Sequence, residues 1–332
     1  MKHINIALFV PDEGCPHRCS FCNQKTISGK CNRLDKQDID LAVKSALNSG
    51  KDLSMAEIAF FGGSFTGIER SYMIKLLQTA KRYIDSGVVS GIRVSTRPDY
   101  ISKDVLKTLK LYGVTAIELG CQSMSDDVLR LNDRGHTSTD VVNAAKMIKE
   151  YGFDLGVQMM TGLYGDSDEL CVDTAKKLIA LSPNTARIYP TIVLENTKLC
   201  EFYRKGEYSP QTLEEAVRLC SQLLMMFHKA DIPVIRLGLH SGGNVDDGFV
   251  AGPYHPAFRE MCESEIYYKE VALQINNYKI KPGEITITVG KKFVSMLVGQ
   301  KKCNFDRLRV LGYKCKIIQD ESLGKYKVIV RG

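Results

Sequence analysis

Apolar positions along the chain fall into short, nearly continuous runs that alternate with longer stretches where they recur every three or four residues. "INIALFV", "EIAFFGG", "GIRVSTRPDY", "VTAIELG", "FDLGVQMMTG" and "TARIYPTIVL" read as six successive strands, and "IPVIRLGLH" as a candidate further one. Between them, "DIDLAVKSALNSG", "SYMIKLLQTAKRYIDSG", "SKDVLKTLKLYG", "SDDVLRLN", "TSTDVVNAAKMIKEYG", "SDELCVDTAKKLIALS" and "TLEEAVRLCSQLLMMFHKA" have helical spacing. Gly50, Gly87 and Gly113 stop three of these helices, and Pro98 ends the third strand. In the helix opened by Ser102, Leu106, Leu109 and Leu111 are expected near one face, and the "TSTDVVNAAKMIKEYG" helix is expected to be capped around Ser138 or Thr139.

Strands separated by helices imply a parallel sheet with right-handed crossovers. Periodicity leaves an open doubly wound sheet and a closed barrel both available. In either, the chemistry belongs at the carboxyl ends of the strands. Residues 1–240 therefore form one α/β body, and 241–276 a Gly- and Pro-rich loop (Ser241–Pro256) with a helical extension. Residues 277–332 form a small α+β domain: strand "EITITVG", a helix–turn–helix over "KKFVSMLVGQKKCNFDRLRVLG", then strands "YKCKIIQD" and "KYKVIVRG".

Charge changes this picture at one end only. Residues 277–332 hold 13 Lys or Arg against 4 Asp or Glu, whereas residues 1–276 hold 32 against 34. A tail this basic points to a polyanionic partner, RNA above all. No apolar run approaches membrane-spanning length and no secretory leader is visible, so a cytoplasmic location is expected.

Eleven cysteines in such a chain suggest metal or redox chemistry rather than disulfides, and three of them are crowded into "GCPHRCSFCNQ". Cys15, Cys19 and Cys22 have the spacing C-x3-C-x2-C, next to the polar His17 and Arg18. Three thiolates from one loop can hold three corners of a [4Fe–4S] cube and leave one iron open to a ligand. Zinc closed by Cys31 as fourth thiolate is the alternative, and structural zinc loops favour paired C-x2-C knuckles, of which only one pair occurs here. Most of the eight other cysteines read as small buried hydrophobes.

The triad, with an aromatic residue before its last cysteine ("CSFC"), resembles the signature of radical S-adenosylmethionine (SAM) enzymes. The resemblance implies a [4Fe–4S] cluster that binds SAM at the open iron and reductively cleaves it to a 5′-deoxyadenosyl radical. It also implies a reductant such as flavodoxin or ferredoxin. "FFGGSFTG" stands where that family binds the methionine end of SAM, which implies that role for Gly62, Gly63 and Ser64. "STRPDY" and "IELGCQSMSDDVLRLNDRGH" resemble the branch that contains Elp3 and oxygen-independent coproporphyrinogen oxidases. In that branch Gln122 and Arg134, with Phe21, are implied on the adenosyl side, and the fold is a partial (βα)6 TIM-like barrel with a small C-terminal α+β domain. Ser95 and Gln158 replace acids of the coproporphyrinogen oxidases, and Gln24 replaces an extra cysteine, which argues against that reaction. "RPDY", "NDRGH", "RIYPTIVLENTKL" and "YSPQTLEEAV" look like Elp3. Elp3 carries an acetyltransferase domain, and the sequence is expected to lack one because no acetyl-CoA loop is visible.

The tail faintly resembles a KH module. Gly299 opens a would-be G-x-x-G turn whose fourth residue is Lys302, and Lys291, Lys292, Lys301, Lys302, Arg307 and Arg309 form its candidate RNA face. His240, His255, Tyr100 and Tyr189 are further candidates for substrate contact. The expected activity is radical SAM chemistry on RNA, a tRNA base in particular. A porphyrinogen-like small substrate, or a zinc- or cluster-stabilised RNA-binding protein without radical chemistry, are the alternatives.

Overall fold

The computed structural model describes residues 4–10, 15, 19–23, 33–239 and 244–332. His17, Arg18, Gln24, Cys31 and His240 lie outside the described residues, and with them the zinc alternative's fourth ligand.

The chain runs β1 (Asn5–Val10), α1 (Lys36–Asn48), β2 (Glu57–Gly62), α2 (Arg70–Asp85), β3 (Gly91–Thr96), α3 (Lys103–Leu111), β4 (Val114–Gln122), α4 (Asp126–Leu131), α5 (Ser138–Glu150) and β5 (Asp154–Thr161). It continues with α6 (Asp168–Ala180), β6 (Thr185–Pro190), β7 (Val193–Leu194), α7 (Lys198–Arg204), α8 (Leu213–Lys229), β8 (Val234–Leu237), α9 (Asn244–Gly248), β9 (Phe249–Ala251) and α10 (Phe258–Asn277). Strands β1 to β6 and β8 form one parallel sheet in that order, a curled part-barrel of seven strands rather than six. The seventh comes from "IPVIRLGLH". The expected sixth strand breaks after Pro190, and its remainder, β7, pairs antiparallel with β9 in the segment expected to be loop.

Each strand turns alternate residues to opposite faces. Ile58 and Phe60, Ile92 and Val94, Ile117 and Leu119, Leu155 and Val157, Ala186 and Ile188 are buried under the helices. Burying an aliphatic or aromatic side chain of this size stabilises by about 1.5–3 kcal/mol. The helices meet that face through matched stripes, such as Leu106 and Leu109 of α3, whereas Leu111 is 70% exposed, off the expected stripe. The cap of α5 is Thr137, whose hydroxyl accepts from the Asp140 N–H while the Asp140 carboxylate accepts from the Thr137 N–H; Ser138 is the first helical residue.

The tail adds β10 (Gly283–Val289), α11 (Val294–Val298), α12 (Cys303–Val310), β11 (Tyr313–Gln319) and β12 (Val328–Arg331). Its sheet is ordered β11-β10-β12, with β10 parallel to β11 and antiparallel to β12. Its apolar side, Ile285, Ile287, Leu297, Leu308 and Val328, joins the same continuous core as the barrel, across α10. Polar contacts hold the join. The Gln274 amide donates to Val328 O at 2.7 Å and accepts from Val330 N at 2.9 Å. Glu263, almost fully buried, accepts from Lys325 at 2.9 Å and Tyr326 at 3.2 Å.

Candidate active site

The cysteine segment follows β1 and lies at the carboxyl ends of the strands. Cys19 and Ser20 are buried; Cys15 and Cys22 are half-buried. Residues from distant sequence fix the loop. Ser20 N donates to Asn132 O at 3.1 Å, and its hydroxyl to Asn132 Oδ1 at 2.7 Å. Leu199 N donates to Ser20 O at 2.8 Å, and Asn23 Nδ2 to Glu195 O at 2.9 Å. The "NDRGH" and "ENTKL" stretches are therefore clamps on the cysteine loop. Asn132, fully buried and donating also to Val128 O and Tyr164 O, has no signal in a single sequence beyond its position before Arg134.

Arg134 is 6% exposed and lies against the loop. Its Nη1 donates to Cys19 Sγ at 3.3 Å and its Nη2 to Gly120 O at 2.6 Å. Arg97 grips the Asp99 carboxylate through two bonds, at 2.9 and 2.8 Å, and donates to Arg134 O. Burial works against the Arg97 charge. Asp99, with Cys19 and Cys15 near by, outweighs it and raises the pKa. Arg97 Nη1 and Arg134 Nε are buried donors with no hydrogen-bond partner among the described residues. Two buried cations with spare donors beside the Cys19 and Cys15 thiols suit an anionic iron–sulfur group and the carboxylate and ribose oxygens of SAM. Among the described residues no group of three or more His, Cys, Asp or Glu is already arranged to hold a metal ion.

The glycine loop has its own constraints. Gly62 has φ +115°, and a Cβ there would sit 2.3 Å from Val10 O, so only glycine lets β2 approach β1 where the cysteine loop begins. Gly63 N reaches the same carbonyl at 3.4 Å. Ser64 does not project freely. Its hydroxyl is 2.8 Å from Thr96 Oγ1, which is 2.6 Å from Thr66 Oγ1, and it accepts from Arg97 N at 3.3 Å. Gln122 occupies a register shift at the end of β4 with φ +64°, and its Oε1 accepts from Gln158 Nε2 at 3.2 Å. Phe21 packs on a separate cluster of Val193, Leu199, Cys200 and Tyr208. His136, beneath Arg134, has its pKa pushed down to about 4 by burial first and then by Arg134 and Arg97. It is therefore neutral near pH 7, and its Nε2–H donates to Cys121 O at 3.2 Å.

Inside the barrel the sheet face is polar. Glu57 and Glu118 are bridged by Arg93, at 2.7 and 3.3 Å, and Glu118 also pairs with Arg187 at 2.8 Å. Each of the four is mostly buried and paired, as buried charge requires.

The tail's candidate cations are not one patch. Arg307 stacks 3.3 Å over the Tyr268 ring and pairs with Glu265 at 2.6 Å, facing α10. Lys302 and Arg309 face the other way, into a cavity of about 410 Å³ that Phe305, Asp306, Tyr313 and Lys314 also line. Lys291 is 4.0 Å from Glu321. The turn from Gly299 to Lys302 has positive φ at Gly299, Lys301 and Lys302.

The sequence profile of the Radical SAM superfamily matches residues 10–178, and that of the Radical_SAM C-terminal domain residues 183–268. The chain belongs to the radical SAM superfamily. As a radical SAM enzyme it has curated relatives. The tRNA uridine(34) acetyltransferase of Methanocaldococcus jannaschii is 26% identical over 257 residues, covering 65% of this chain and 47% of the relative. Elongator complex protein 3 of Homo sapiens is 25% identical over 268 residues, covering 72% and 48%. The chain thus spans about half the length of these relatives. The structure of an N-terminally truncated archaeal Methanocaldococcus infernus Elp3 matches 84% of this chain and 69% of that one, with a TM-score of 0.63 at 21% identity. They share the fold, as the Elp3-like sequence motifs led us to expect. No helix among the described residues is long and apolar enough to cross a membrane.

Proposed function

We propose that this radical SAM enzyme acts on RNA, a tRNA in particular, using a [4Fe–4S] cluster held by Cys15, Cys19 and Cys22. Held there, the cluster would supply the electron for reductive cleavage of SAM. Arg134 and Arg97 steady the negative charge gathered at the cysteines. Gly62, Gly63 and Ser64 offer backbone groups to the methionine end of SAM, and Gln122 stands towards the adenosyl side. The single observation that carries the reading is the contact of buried Arg134 with Cys19, which joins "NDRGH" to the triad in space. The RNA part is supported by the tRNA-modifying names of the relatives and by the basic tail turn beside an aromatic cavity.

Anaerobic purification, reconstitution with iron and sulfide, reduction and addition of SAM are expected to yield 5′-deoxyadenosine. Cys19→Ala is expected to lower the yield at least 100-fold. Colourless protein that holds zinc and gives no nucleoside overturns the reading. For the RNA part, filter binding to bulk tRNA across a salt series is expected to weaken steeply. The Lys301→Gln/Lys302→Gln pair is expected to flatten the logarithmic salt slope by about 1–2. Binding that ignores salt, or that the pair leaves unchanged, removes the tail from the reading.

A further inference from the structure

Among the described residues, the inner face of the sheet around β6 and β8 places three arginines, Arg93, Arg187 and Arg236, near two carboxylates, Glu57 and Glu118. Glu57 and Glu118 are shared between Arg93 and Arg187. Arg236 on β8 is the register partner of Arg187. A register shift between Ala186 and Arg187 skips one residue of β8, so Arg236 stands opposite Arg187 and Leu237 opposite the helix-facing Ile188, which puts Arg236 on the inner face with Arg187. Its Nε donates to Gly238 O at 2.9 Å, and among the described residues no carboxylate pairs with it. Glu263, which pairs with the neighbouring Arg259 at 3.1 Å, is already shared with Lys325 and Tyr326. Arg187 lies over the Phe61 ring at 4.6 Å and reaches Tyr189 Oη at 3.4 Å, so Tyr189 stands beside both arginines.

Two adjacent guanidinium groups with a single carboxylate between them repel each other in a half-buried setting. Burial, then Arg187 and Arg259, depress the Arg236 pKa, against a favourable contribution from Tyr189. An oxyanion relieves that repulsion and accepts the fork of donors a guanidinium presents. The placement is also apt. The cysteine loop follows the first strand of the curled sheet, and Arg236 is on the last. One register row runs from Gly120, whose carbonyl holds Arg134, through Gln158 and Arg187 to Arg236.

We infer that Arg236, with Arg187 and Tyr189, forms a subsite for an oxyanion of the substrate, a carboxylate or a phosphate, across the lumen from the cysteine loop. The inference rests on the reading that the lumen receives the substrate. The anchor positions the molecule from the edge of the barrel opposite the radical source, and it selects anionic over neutral substrates.

The test is a thermal-unfolding titration of the full chain, reconstituted anaerobically, with inorganic phosphate and with acetate at constant ionic strength set by chloride. The midpoint is expected to rise saturably with at least one probe. Arg236→Gln is expected to weaken the apparent affinity tenfold or more. Arg236→Lys, which keeps the charge and most of the packing, is expected to weaken it about threefold and serves if Arg236→Gln does not fold. Lys314→Gln, on the tail surface, is expected to change nothing. The stronger probe tells a phosphate from a carboxylate substrate. No saturable rise with either probe, or a rise that both Arg236 variants retain in full, overturns the inference. The titration contains no SAM, so its failure leaves the 5′-deoxyadenosine result to judge the radical reading separately.

Discussion

At the mouth of the barrel, Arg97 and Arg134 are almost fully buried, and each holds neighbours in place: Arg97 the Asp99 carboxylate, Arg134 the Cys19 thiol and the Gly120 carbonyl. In the tail, Lys301, Lys302 and Arg309 stand in water, and among the described residues Arg309 pairs only with Asp306, one turn back on the same helix, at 2.8 Å. The two regions use cations for opposite ends. Out of water a charge interacts strongly over a short distance, so a buried guanidinium can fix the position of a thiol or carbonyl at the price of needing a partner for each donor. An exposed ammonium fixes nothing, is screened by salt, and stays available to a mobile polyanion. The barrel's cations are thus suited to fixing geometry, and the tail's, on the function proposed above, to capturing a polyanion.

Gly62→Ala strikes the barrel hardest. Positive φ together with a Cβ driven to 2.3 Å from Val10 O is expected to cost roughly 3–5 kcal/mol, read by denaturant unfolding. A loss below about 1 kcal/mol would mean that β1 and the cysteine loop can yield, and the contrast with the tail would weaken.

Acid separates the regions next. His136 has a folded pKa near 4 against an ordinary value of 6.5, so between these values the unfolded chain binds more protons. Stability is therefore lost as pH falls from 6.5 to 4, by about 3 kcal/mol at most. His136→Gln is expected to flatten that part of the stability–pH curve. An unchanged slope would show that His136 is not held neutral.

Asn304→Ala tests the join between tail and barrel. Its buried amide donates to Ser264 O, Ser264 Oγ and Leu297 O at 2.9, 2.9 and 3.0 Å. Losing it is expected to cost about 2 kcal/mol and to raise hydrogen exchange in α11 and α12 while β1–β4 stay protected. Equal loosening everywhere would make the two regions one cooperative unit.

The smallest effect has the opposite sign. Lys301, at φ +50°, sits in the left-handed region. Lys301→Gly is expected to stabilise by up to about 1 kcal/mol while weakening RNA binding. Stabilisation with RNA affinity intact would show that the strained turn serves folding alone.

Much of the framework was legible in one sequence. Alternating apolar runs and capped helices follow local rules, so every strand of the part-barrel and the tail's strand–helix–turn–helix–strand order could be placed. Local rules failed where partners are remote. Leu111 carries the right residue type on the wrong side of a short helix, and the sixth strand's apolar continuation became β7 because β9 was there to pair with it. Of the candidate site, the cysteines and glycines announce themselves by spacing. Asn132, Arg97 and Arg236 do not, because an isolated polar residue looks the same whether it faces water or a buried thiol.

The sequence by itself determined the alternation of elements, the family and the three thiols, since each is written in residues close together along the chain. Only the tertiary structure decided which cations are buried and paired, that Arg307 and Arg309 face different ways, and that Arg236 meets no carboxylate among the described residues. Those outcomes depend on distances between residues far apart in the chain, and a charge acquires its role from what surrounds it in space.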